Sequence, residues 1–287
     1  TGGASIGFTG EEMVNTGNGW SMNDGLTFSA TTELDNGWNV TATQIIDSSD
    51  GVANAIMDTR TLAIDMGDSG VLTFAGTGGS SVLNAVDDTT PTAFEESWDI
   101  TSGASAIPGG TGGDNMFHYS NSSLMDGVKL SASYTPSSGG TASVESSADY
   151  GVEYTGIDGL TLGAAQGENN LLADSVEITN MYARYAMDAF TIGFTTSEAD
   201  SEATDADKEM TAMGISYAVS DELSVSLNTS TIEYEDSTLS DQEATGISAS
   251  YVMGSMTLKG TRNDVDNIAG TSTADRSAYE LSLAFAF

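Results

Sequence analysis

The residues in this chain best equipped for chemistry are carboxylates. Asp and Glu number 42 against 7 Lys and Arg, for a formal net charge of −35. Six of these acids, Asp87, Asp88, Glu95, Glu96, Asp99 and Asp114, share one interval, 77–114, that holds no basic residue. Unpaired carboxylates concentrate cations and repel anions. They can also ligate calcium, which takes oxygen donors. The stretch from Gly109 to Phe117 fits the nonapeptide calcium pattern G-G-x-G-x-D-x-U-x, with Asp114 as the candidate metal ligand. That pattern holds ions between successive turns, so one copy alone is a weak site. Calcium bridging between acidic loops elsewhere is the broader form of the same expectation.

Other chemistries lack parts. His118 is the only histidine and there is no cysteine. A His metal cluster and a Cys metal site are therefore excluded. No serine lies in a G-x-S-x-G context. The acidic balance argues against nucleic acid, which needs a basic surface. The chain thus reads as a non-enzyme without a cofactor, apart from any calcium held by its acidic loops.

The elements that must position these charges are strands. Tyr279, Leu281, Leu283, Phe285 and Phe287 alternate with Glu280, Ser282, Ala284 and Ala286. That period of two puts apolar side chains on one strand face and small or polar ones on the other. Leu223, Val225 and Leu227 repeat the pattern, as do Phe190, Ile192 and Phe194. The alternation predicts strands near 3–11, 25–34, 38–46, 59–66, 71–76, 115–123, 128–135, 146–155, 160–167, 176–186, 189–197, 209–218, 222–231, 243–252, 255–263 and 276–287. The 33 glycines suit turns, and only 3 prolines interrupt the ladders.

The connections are unequal. Tight turns such as Asp35-Asn36-Gly37, Met125-Asp126-Gly127 and Met253-Gly254-Ser255 join strands at one end. Acidic, Ser/Thr-rich stretches such as 197–209, 232–243 and 264–275 join them at the other. Tyr154, Tyr185, Tyr217 and Tyr251 are 31, 32 and 34 residues apart, and Phe287 follows after 36 more. Each closes a strand at the short-turn end, as an interfacial aromatic girdle requires. No apolar run approaches the roughly 18 residues of a membrane-spanning helix. A closed barrel satisfies its backbone without one. The expected fold is all-β: an antiparallel transmembrane barrel of about sixteen strands, with short periplasmic turns and long acidic extracellular loops. The N-terminus shows no signal peptide, as in an already processed secreted chain.

In this architecture the chain resembles the Gram-negative general porins, the trimeric sixteen-stranded barrels. The stretch from Ser277 to Phe287 is similar to the terminal strand that outer-membrane proteins present for assembly. The stretch 62–76 is similar to the hairpin that precedes the family's pore-constricting third loop. The resemblance implies one barrel over 1–287, with 77–114 as that loop. It implies a passive channel in the outer membrane for ions and small hydrophilic solutes. It also implies a homotrimer bedded in lipid and lipopolysaccharide.

The six acids of 77–114 would then sit at the constriction. By strand parity Lys129, Arg184, Lys259 and Arg276 face the pore wall, whereas Arg60 and Arg262 take the lipid-facing parity. His118 falls near the constriction. The wall is poor in cations compared with the family's arginine cluster, and mild cation selectivity follows. The lumen would be lined by Ser, Thr, Asn and Asp. The rival expectation is a structural surface protein that forms arrays or filaments bridged by calcium.

Overall fold

The computed structural model describes residues 1–12, 19–47, 57–86, 89–105, 113–137, 145–171 and 174–287. Sixteen strands follow in chain order: β1 Gly2–Glu11, β2 Trp20–Glu33, β3 Asn39–Asp47, β4 Met57–Asp65, β5 Val71–Thr77, β6 Met116–Met125, β7 Val128–Thr135 and β8 Ser147–Ile157. The second half comprises β9 Leu160–Asn169, β10 Val176–Met187, β11 Phe190–Ser201, β12 Lys208–Ala218, β13 Leu223–Tyr234, β14 Gln242–Met253, β15 Met256–Asp266 and β16 Arg276–Ala286. Each strand pairs antiparallel with its sequence neighbours, and β1 pairs with β16, so the sheet closes. Closure leaves the sheet without an edge strand, as a membrane-spanning sheet requires.

The termini seal the seam. Gly2 N donates to Phe287 O at 2.8 Å, and Phe287 N donates back to Gly2 O at 2.9 Å. The tight turns expected from sequence are present. Gly127 and Gly254 take φ of 70° and 62° in theirs, a conformation a side chain would resist.

Alternation sets the two faces. On β11, Phe190, Ile192 and Phe194 are exposed on the outer face, while Thr195, Ser197 and Ala199 are buried inside. Phe190 stacks on Tyr217 of β12 with ring centroids 4.4 Å apart. From Ile192 the outer row continues through Ile215, Leu227 and Ile247.

Several strands run further than alternation suggested. β2 begins at Trp20 rather than 25, β11 reaches Ser201 rather than 197, and β15 reaches Asp266 rather than 263. The added stretches at the loop end of β11 to β15 carry Glu198, Asp200, Glu233, Asp264 and Asp266 as outward strand residues. Those acids extend the barrel wall instead of hanging in loops.

Candidate pore constriction

In the connection from β5 to β6, residues 81–86 and 89–105 lie against the inner wall of the barrel. The neck of this connection is closed by Gly79 N donating to Gly113 O at 2.7 Å and by Gly78 N donating to Asp114 Oδ1 at 3.3 Å. Beyond the neck the segment follows the inner wall from β7 round to β16. Val82 N donates to Ser133 Oγ at 2.9 Å, and Leu83 N to Asp149 Oδ2 at 3.4 Å. The hydroxyls of Thr89 and Thr195 meet at 2.9 Å. Phe94 N donates to Ser248 Oγ at 3.1 Å, and Asn263 Nδ2 to Glu96 O at 2.7 Å. Ser105 N donates to Gln242 Oε1 at 2.8 Å, and Gln242 Nε2 returns a bond to Ser105 O at 2.9 Å. Arg276 Nη1 finishes the path, donating to Ser102 O at 2.8 Å while pairing with Glu11 at 3.4 Å.

Apolar contacts seat the segment as well. Val82, Leu83 and Val86 pack against Ala165, Ile178, Tyr182 and Ala199. Trp98 packs against Met210, Ala212 and Ile232. Burying one such large side chain contributes roughly 1.5–3 kcal/mol. The wall is therefore not polar throughout, as the alternation alone suggested. Beneath the segment it is greasy.

The sequence holds a signal for this seat. On β12 the apolar outward residues Met213, Ile215 and Tyr217 are odd-numbered, but the apolar inward ones, Met210 and Ala212, are even. The apolar face changes parity towards the loop end. β10 does the same, from Met181 and Tyr185 outside to Ile178 and Tyr182 inside. The change marks where lipid stops outside and the inner segment begins inside.

Glycines complete the track. Pro91 lies against Gly193 and Gly214, and Ser97 against Gly246. A Cβ at Gly214 would come within 2.7 Å of Pro91 O and Thr90 Cγ2. On β10 the Tyr182 ring crosses Gly163 to donate a 2.6 Å hydrogen bond to Glu153 Oε2.

The comparisons with known proteins agree with this geometry. A family model described as Gram-negative porin matches residues 1–238. The chain belongs to the Gram-negative porin family. A variant of the Rhodopseudomonas blastica porin superposes with a TM-score of 0.71 at 16% identity, covering 100% of this chain and 98% of that one. The anion-selective porin from Comamonas acidovorans gives 0.74 at 12% identity, with 100% and 99% covered. No curated protein sequence matches the chain. The molecule is thus a multi-pass outer-membrane porin, a channel rather than an enzyme.

The expected site residues of this porin fall in different places. Asp87 and Asp88 lie outside the described residues, as does Gly109–Gly112 of the nonapeptide stretch. Glu95, Glu96 and Asp99 lie together on the inner segment. Glu96 is buried at 3% exposure with its N donating to Asp99 Oδ2 at 2.7 Å, and Asp99 is exposed. Asp114 closes the neck instead of lying along the wall. Among the described residues no group of three or more acids and histidines is arranged to hold a metal. His118 faces inward, with Nδ1 3.3 Å from Ser80 O near the neck.

Lys129, Arg184 and Lys259 face the lumen on the short-turn side of the inner segment. Lys259 Nζ lies 5.0 Å from the Phe94 ring centroid. Arg276 faces inward at the loop end and holds the segment. Arg60 and Arg262 are on the outer face, the latter paired with Asp264 at 3.0 Å. Tyr154, Tyr185, Tyr217 and Tyr251 sit on the outer face beside the short turns, level with Phe287. Sequence reasoning missed Asp149 and Glu153 as inward acids, because each stands singly on a small or polar face. In the β13–β14 loop, the N–H and then the hydroxyl of Thr238 bond Asp236 and hold its carboxyl below the usual range.

Proposed function

We propose that this porin is a passive, cation-preferring channel for ions and small hydrophilic solutes, narrowed by the segment 77–114. The fold does not set the sign of selectivity, since one structure of the same fold is an anion-selective porin. Side-chain charge must set it. The observation that carries the reading is the wall opposite the inner segment. In residues 1–128 the only basic side chain is Arg60, and it faces outward. The inward acids there are Glu11, Glu33, Asp47 and Asp65, among hydroxyls such as Thr41, Thr43 and Thr61. A transverse field of acids against arginines lacks its positive half. What remains is a negative lumen that enriches cations.

Homotrimer assembly in a bilayer with lipopolysaccharide belongs to the same proposal. From β1 to β6 aromatic residues reach towards the loop end of the outer face, at Phe8, Trp20, Phe74 and Phe117, with Arg60 among them on β4. Outward carboxylates are sparser there than on β9 to β15, Asp24 on β2 being one. Purified protein in a planar bilayer under a KCl gradient tests the selectivity. A reversal potential of the sign for potassium is expected. A chloride-favouring potential overturns the preference. A total lack of conductance in folded protein overturns the channel and leaves the structural surface-protein reading.

A further inference from the structure

A cavity of about 660 Å³ opens in the lumen on the short-turn side of the inner segment, between its Thr90–Phe94 bend and the β8–β9 hairpin. This is within the usual range for a small-molecule site, roughly 300–1,000 Å³. Two opposite charges line it. Arg184 comes from β10, and Asp158 from the turn between β8 and β9. They are not paired with one another, and neither makes an ion pair with any described residue. The Arg184 guanidinium offers a planar fork that fits a carboxylate. Hydroxyls surround it: Thr161 stands directly opposite on β9, and Thr191 pairs with Ser216 nearby. Pro91 and Phe94 supply an apolar roof.

The separate charges select a class of solute. A free anion would meet the acidic lumen and be repelled before reaching Arg184. A free cation has no use for the guanidinium. A dipolar ion carries no net charge past the acids, yet presents one group to each of the two lining charges. We propose that this cavity is a transient binding subsite for small zwitterionic, amino-acid-like solutes. Arg184 takes the carboxylate, Asp158 the ammonium, and Pro91 with Phe94 the short apolar part. The proposal rests on the channel reading and adds a solute class to it.

The test is conductance in planar bilayers at fixed KCl, with L-alanine added and lactamide as its uncharged analogue. Alanine should reduce the current along a saturating curve, whereas lactamide should change it only with the bulk conductivity. Arg184→Gln and Asp158→Asn should each weaken the alanine effect by roughly tenfold, as expected for loss of one partly solvated charge-assisted contact. Arg184→Lys should lie between. Asp158 is on an exposed turn, so its variant serves if Arg184→Gln does not fold. Equal effects of alanine and lactamide overturn the subsite, as does an alanine effect unchanged in the variants. Failure of the channel reading would look different, because KCl alone would then carry no current.

Discussion

Gly193 and Gly214 are directly opposed on β11 and β12, and both carry the weight of Pro91 on their inward side. Neither needs a positive φ. What they supply is absence of a side chain, so that the inner segment can lie on the backbone of the wall. Valine at Gly214 would drive two methyls into Thr90 and Pro91. Overpacking of this kind costs roughly 1–3 kcal/mol. The barrel ladders do not depend on it, so the strain should lift the bend off the wall and into the lumen. Gly214→Val is therefore expected to keep the heat-modifiable mobility of a folded barrel while lowering single-channel conductance. Unchanged conductance would mean that the bend does not bear on the pore. In the sequence these glycines are only small members of a small-or-polar face. Their role depends on a partner more than a hundred residues away, and no local pattern encodes that.

The strands were legible where one face meets lipid and the other water, because only there does hydropathy alternate. All sixteen stand out on that ground. The rest was illegible for physical reasons. At the loop end both faces of a strand change surroundings: outside becomes wet and inside meets the buried segment. Ile232 and Glu233 on β13 show both changes in adjacent residues, the first buried inside and the second exposed outside, and read together they resemble a loop. The outward acids then form cross-strand pairs of like charge. Glu209 stands directly opposite Glu198 on one side and Glu233 on the other, and all three are exposed. Like charges directly opposite work against a ladder, by up to roughly 0.2–1 kcal/mol, and solvent screening keeps such exposed groups at the low end. Glu209→Gln should raise the thermal unfolding midpoint of the detergent-solubilised barrel slightly at low ionic strength. The gain should vanish in about 1 M salt, where the Debye length is about 3 Å. A gain that survives high salt would mean the benefit is not electrostatic.

At the scale of the whole molecule, charge is distributed unevenly around the pore. One half of the wall has no inward cation; the other holds Lys129, Arg184 and Lys259 beneath the inner segment, and Lys208 and Arg276 at the loop end. The loop end adds further acids, including Asp236, held charged to lower pH than an ordinary carboxylate. Selectivity built this way must follow the ionisation of carboxylates. Above their pKa values, near 4 for unperturbed groups, the lumen is negative and cations are preferred. As pH falls through that range the acids protonate, while the lysines and arginines stay charged. The preference should therefore hold from neutral pH to about 5, weaken towards 4, and move towards chloride at about pH 3. Groups with lowered pKa values, such as Asp236, should be the last to protonate, so the transition should be broad rather than sharp. Reversal potentials across a KCl gradient, measured from pH 7 to 3, check this. A preference that persists unchanged to pH 3 would assign selectivity to backbone and hydroxyl dipoles.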